Sequence, residues 1–150
     1  MKSCIGIDGN LFNQFYPANY MGNLIPDKKK RNADADRIGE NLYKDNWLPL
    51  IDNLQSLDPN FAEFVKEIAY GSVYPREQLS LPHREIAAIT ALTQLNLKPQ
   101  LKSHIIGALN VGVKSEEILE LFLHIAMYIG FPLVLDGLKV ANEVFKHYKL

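Results

Sequence analysis

Residues 81–132, LPHREIAAITALTQLNLKPQLKSHIIGALNVGVKSEEILELFLHIAMYIGFP, read as two helical hairpins in succession. Ser80 is a side-chain cap for the first helix, and Pro82 falls in its first turn, where a missing N–H costs nothing. Ile86, Ile89, Thr90, Leu92 and Thr93 then run along it to about Asn96. Pro99 lies in the first turn of the second helix, whose stripe is Leu101, Ile105, Ala108 and Leu109. Gly112 suits its end, because glycine enters left-handed backbone space at no Cβ cost. Ser115 is expected to cap the third helix, with Glu116 and Glu117 in the first turn, where carboxylates favour the dipole. Ile118, Leu119, Phe122, Ile125, Ala126 and Ile129 follow, up to Gly130. Pro132 opens a last helix carrying Leu135, Leu138, Val140, Ala141, Val144 and Phe145.

Working outward, Asp58-Pro59 is a start signal, with Asp as N-cap and Pro at the first helical position. The helix it opens is expected to place Phe61, Phe64, Val65 and Ile68 on one face and to end near Gly71, before a connector at Tyr74–Glu77. Ala35, Ile38, Leu42 and Tyr43 fit the helical period, and a short element holds Trp47, Leu48, Leu50, Ile51 and Leu54. No stretch alternates as a strand would. The expectation is an all-α fold, a compact bundle of about six or seven helices with sequential helices antiparallel.

Residues 1–33 show no helical period and are broken by Gly6, Gly9, Pro17, Gly22 and Pro26. Phe12, Phe15, Tyr16 and Tyr20 are too many aromatics for a disordered tail, so an arm docked on its own body or on a neighbouring subunit is expected. Lys28–Arg31, the only basic run, reads as a solvated linker. The division is therefore an N-terminal arm at 1–33 and a helical domain at 34–150.

Composition excludes several classes. With 150 residues, 47% hydrophobic and 22% charged, the chain has the balance of one globular domain. A formal net charge of −1 offers no basic field for nucleic acid. The single cysteine, Cys4, rules out an intrachain disulfide and fits a reducing compartment. The N-terminal apolar patch is too short and polar for a signal peptide, and no window reaches the ~18 apolar residues of a membrane helix. A soluble, cytoplasmic protein is expected.

The chemistry-bearing residues are few. Glu85 and His104 stand on consecutive helices, and an imidazole with a carboxylate is what a small acid–base site needs. The same pair also fits an ordinary core histidine and a first-turn carboxylate serving the dipole. Glu120, His124 and Tyr128 recur every four residues along one helix face, as a binding stripe or as a polar strip against another subunit. A metal held by His104, His124 and Glu85 is not expected, since no short ligand spacing supports it.

Three segments, REIAAITAL (84–92), LKSHIIGALNVGVKSEEI (101–118) and HIAMYIGFP (124–132), together resemble the carboxymuconolactone decarboxylase family, with the likeness strongest over 70–132. The resemblance implies an alkyl hydroperoxidase D-like helical fold and assembly as a trimer or hexamer. One branch of that family works through a Cys-x-x-Cys-x-x-x-His run, whose cysteines would fall at Leu97 and Gln100. Neither is a cysteine, which argues against a peroxiredoxin-type antioxidant cycle. The decarboxylase branch lacks the cysteines and shares the YG-x-V segment at Tyr70–Val73 and the Y-x-G-x-P ending at Tyr128–Pro132.

What the resemblance implies is a lyase of aromatic catabolism that needs no cofactor, because loss of CO2 from a conjugated carboxy-lactone sends electrons into the substrate's own carbonyl. His104 would then handle the proton with Glu85 as its partner. Arg84 and Arg76 would grip substrate carboxylates, Tyr74 and Phe131 would wall the pocket, and His124 and Tyr128 would bind substrate or donate to an oxyanion. The partner is a small carboxylate or lactone. A non-catalytic oligomeric ligand-binding or assembly protein on the same scaffold is the competing reading, favoured by the aromatic arm and the apolar final helices.

Overall fold

A computed structural model describes residues 26–150. Helix α1 spans Lys28–Tyr43, and a single 3-10 turn at Lys44–Asn46 leads into α2, Trp47–Leu57. Helix α3, Pro59–Phe64, runs without a break into a π-helical segment, Val65–Val73. After the connector at 74–80 come two hairpins, α4 (Leu81–Gln94) with α5 (Lys98–Asn110) and α6 (Ser115–Ile129) with α7 (Phe131–Tyr148). Every regular element among the described residues is helical, as the periodicity predicts.

The caps explain most of the boundaries. Asp58 accepts from the Phe61 amide at 2.7 Å, and Ser80 caps α4 through the His83 amide. Helix α5 ends in a paired closure: the Val113 amide bonds the Ala108 carbonyl and the Gly112 amide bonds that of Leu109. This geometry requires φ of +95° at Gly112, the position the sequence reading singled out. Helix α6 begins one residue earlier than expected, with Lys114 as the capping residue. There Glu117 reaches back to accept from the Lys114 amide at 2.8 Å, a role Ser115 does not fill.

Three further expectations are corrected. The boundary at residue 33 falls inside α1, which already begins at Lys28, and the part of the proposed arm at residues 1–25 lies outside the described residues. The basic run is not a linker. Asp27 caps the helix through the Lys30 amide at 3.0 Å, Lys28 pairs with Glu63, and Arg31 Nε donates to the buried Glu67 at 3.0 Å. Partners from another element thus offset the unfavourable placement of cations at a helix N-terminus. Nor do Phe61 and Phe64 form a buried face, for both are exposed, while Ala62, Glu67 and Tyr70 turn inward. Ala62 takes the inward side of α3, and the change of winding at Val65 sets which of the following residues, Glu67 and Tyr70, face inward.

Two apolar clusters organise the interior. Helices α4–α7 bury Ile89, Leu101, Ile105, Ile118, Phe122, Val140 and Val144. Helix α1, the start of α2 and the π-helical segment bury Ile38, Leu42, Tyr43, Trp47 and Tyr70, with Tyr74 packed against them. Their seam is where the chemistry-bearing side chains collect.

Candidate active site

Helix α4 carries Glu85 one turn after its cap, facing inward, and the residue is 0% exposed. A buried carboxylate needs partners for both oxygens. Glu85 Oε2 lies 2.8 Å from His104 Nδ1 on α5, and Oε1 accepts from the Tyr74 hydroxyl at 3.0 Å. Since a carboxylate only accepts, the imidazole donates from Nδ1, which leaves Nε2 as the nitrogen able to exchange a proton with a ligand. The His104 side chain keeps 19% exposure, so the ring is held from the protein interior and reachable from outside.

Close approach of α5 makes this possible. A Cβ at Gly107 would stand 3.0 Å from Glu85 Oε2 and 3.5 Å from the Leu42 side chain, so a glycine there lets the carboxylate sit between α1 and α5. Behind it lies a layer of phenols. The hydroxyls of Tyr43 and Tyr70 are 2.8 Å apart, and the Tyr70 ring is 5.4 Å from that of Tyr74. Burial pushes the Tyr70 phenol up to about 12, and burial together with the negative charge of Glu85 lifts Tyr74 well above the ordinary phenol value. Burial likewise raises Tyr43. All three therefore remain protonated donors at neutral pH. The sequence reading missed Tyr43 and Tyr70 as members of this layer. Tyr43 sits in an apolar stripe where it looks like core, while Tyr70 had been noted only as part of the YG-x-V segment.

The structure brings together Glu85, His104, Tyr74 and Arg84, and leaves three other candidates elsewhere. Arg84 Cζ lies 5.9 Å from the Tyr74 ring centroid, and its donors reach the backbone of the connector. Arg76 stands on that connector, half-buried, its carbonyl accepting from Arg84. His124, Tyr128 and Phe131 do not join them within the chain. The His124 and Tyr128 rings are 5.3 Å apart on the solvent side of α6, and Tyr128 and Phe131 are 73% and 78% exposed. The physical reason is the amphipathic register of α6, since Ile118, Phe122, Ile125 and Ala126 occupy the side that faces the core.

The arrangement suits proton transfer to or from a small ligand at the surface of the seam, with a fixed acceptor behind the imidazole and neutral donors around it. Among the described residues, no group of three His, Cys, Asp or Glu side chains is gathered to hold a metal. No helix there is long and apolar enough to cross a membrane.

The profile of the carboxymuconolactone decarboxylase family matches residues 59–143. The chain is 32% identical over 96 residues to a 4-carboxymuconolactone decarboxylase of Acinetobacter baylyi, covering 64% of this chain and 72% of that protein. It is 31% identical over 81 residues to a nitrosuccinic acid decarboxylase of Metarhizium robertsii, covering 54% of this chain and 57% of the relative. A third relative, peroxisomal protein 2 of Schizosaccharomyces pombe, is 30% identical over 104 residues, which is 49% of its length.

Proposed function

Because the chain belongs to the carboxymuconolactone decarboxylase family, we propose that it is a decarboxylase-type lyase acting, without a cofactor, on a small lactone or related carboxylate through His104 and Glu85. Both relatives named as decarboxylases have small carboxylic acids as the substrates in their names, which supports that substrate class. The observation that carries the reading is the fully buried Glu85 carboxylate held 2.8 Å from His104 Nδ1.

The steps follow from the chemistry of the pair. In a conjugated carboxy-lactone the C–C bond to the carboxylate breaks, CO2 leaves, and the electron pair moves into the lactone carbonyl. His104 Nε2 first takes a proton from solvent and then delivers it to carbon, returning to the neutral Nδ1–H ring, while Glu85 holds Nδ1 and stabilises the ring through each charge change. An apolar surround strips water from the departing carboxylate. Replacing His104 with Ala tests the assignment. The expected result is a fall of about 10²–10⁴-fold in CO2 release from γ-carboxymuconolactone with unchanged helical circular dichroism. Turnover equal to that of the parent would overturn the role of His104.

The same reading includes a homo-oligomer. Leu119, Leu123 and Met127 recur every four residues on the outer side of α6, and Phe131 and Leu135 extend the strip onto α7, all of them exposed. A strip of that size and continuity fits a contact between copies, with His124 and Tyr128 along it rather than in the pocket of their own chain.

A further inference from the structure

Arg84 was expected to grip a substrate carboxylate, and its hydrogen bonds give it another task. Its Nε donates to the Leu79 carbonyl at 3.0 Å and its Nη2 to the Arg76 carbonyl at 2.9 Å. One side chain thereby ties both halves of the connector between the π-helical segment and α4. The Nε/Nη2 edge, one of the edges with which guanidinium meets a carboxylate, is spent on backbone. The same group covers the Tyr74 ring at 5.9 Å from the centroid, and the Tyr74 hydroxyl is what holds Glu85 Oε1. A cation over a phenol ring strengthens the hydroxyl as a donor.

We infer that Arg84 is a positioning residue that acts through Tyr74 to hold Glu85 and so fix the tautomer of His104, and is not a grip for a substrate carboxylate. The inference rests on Glu85 and His104 being the acid–base pair. It separates fork geometry from charge, because Lys keeps the positive charge but lacks a planar fork that can reach two carbonyls at once. The other ionisable groups around the carboxylate are Tyr43 from α1, Tyr70 from the π-helical segment and His104 from α5, while Arg76 on the connector lies near Arg84. All of them stay in place in every variant compared.

The experiment uses the full chain as Arg84→Lys, Arg84→Met, Tyr74→Phe and the double variant Arg84→Met with Tyr74→Phe. The readout is the imidazole 15N spectrum of the neutral His104 ring without ligand, assigned by its loss in His104→Gln. The parent shows the Nδ1–H form. The ratio of Nδ1–H to Nε2–H falls about fivefold in Tyr74→Phe, as expected for one lost hydrogen bond. It falls by a similar factor in both single Arg84 variants and no further in the double. Turnover of γ-carboxymuconolactone by the Arg84 variants shows a lower kcat with KM changed less than about twofold. Three results would overturn the inference: a parental tautomer ratio in Arg84→Lys, independent effects that multiply in the double variant, or a KM raised tenfold at unchanged kcat, which restores the carboxylate grip. A parent protein that leaves the lactone untouched would defeat the decarboxylase reading, while the tautomer ratios would still decide what Arg84 does.

Discussion

Glu85 is the residue around which the site is built, and its position depends on a neighbour that contributes no side chain. Gly107 faces Glu85 Oε2 at a distance where an added methyl must push the carboxylate by a few tenths of an ångström. Gly107→Ala therefore tests placement rather than chemistry. The expected outcome is a loss of about tenfold in kcat, with the Tm lowered by only a few degrees, measured by steady-state turnover and thermal melting of the same preparation. An unchanged kcat would mean that the carboxylate has slack the structure does not show. The imidazole and the carboxylate were legible beforehand as an acid–base pair of residue types on consecutive helices. The phenols behind them were not, because Tyr43 precedes Glu85 by more than one whole helical element and obeys the ordinary apolar period.

Among the elements, the π-helical segment is the one whose shape matters most to the site. It supplies Tyr70 and turns the chain into the connector that carries Tyr74, and two interactions stabilise its winding. Ser72 Oγ donates to the Glu67 carbonyl at 2.8 Å, and the Tyr74 amide bonds the Ala69 carbonyl at 2.9 Å. Glu67 anchors the segment to α1 through Arg31. The Arg31 hydrogen bond holds the Glu67 carboxyl below its ordinary range, with Lys28 adding to the effect. A carboxyl depressed in the folded state stabilises the protein above its unfolded value of 4.5 and loses that contribution as pH falls through the folded value. The parent is thus expected to lose Tm more steeply than Glu67→Gln between about pH 5 and pH 3, as followed by circular dichroism melts. Parallel acid declines would show that the clasp adds nothing. None of this winding was readable from the residues, since a π-turn has no signature distinct from the helix it interrupts.

For the whole molecule, the proposed contact between copies rests on the outer strip of α6 and α7. Met127 is 73% exposed at its centre, between Leu123 and Phe131. Met127→Glu places a charge in the middle of that strip, where burial against a second copy would strip it of water. The expected outcome in light scattering is a shift from oligomer to monomer at micromolar concentration, with helix content retained. A parent protein that is already monomeric would remove the oligomer from the proposal and leave the His104 pair untouched. Membership of the decarboxylase family is independent of that result.

The residue order alone was enough for the helical class, the two C-terminal hairpins, the caps at Asp58 and Ser80 and the stop at Gly112. These rest on local rules of period, capping and left-handed glycine that act within a few residues. What needed the folded chain was everything set by contacts between distant segments. Glu63 and Glu67 draw the basic run into α1, and Ala62 takes the inward side of α3 while Phe61 and Phe64 face outward. Two carbonyls of a connector claim the Arg84 fork, and a core-facing register sends His124 and Tyr128 to the other side of α6. A side chain's type limits what it can bond, but only packing brings a partner within about 3 Å of it.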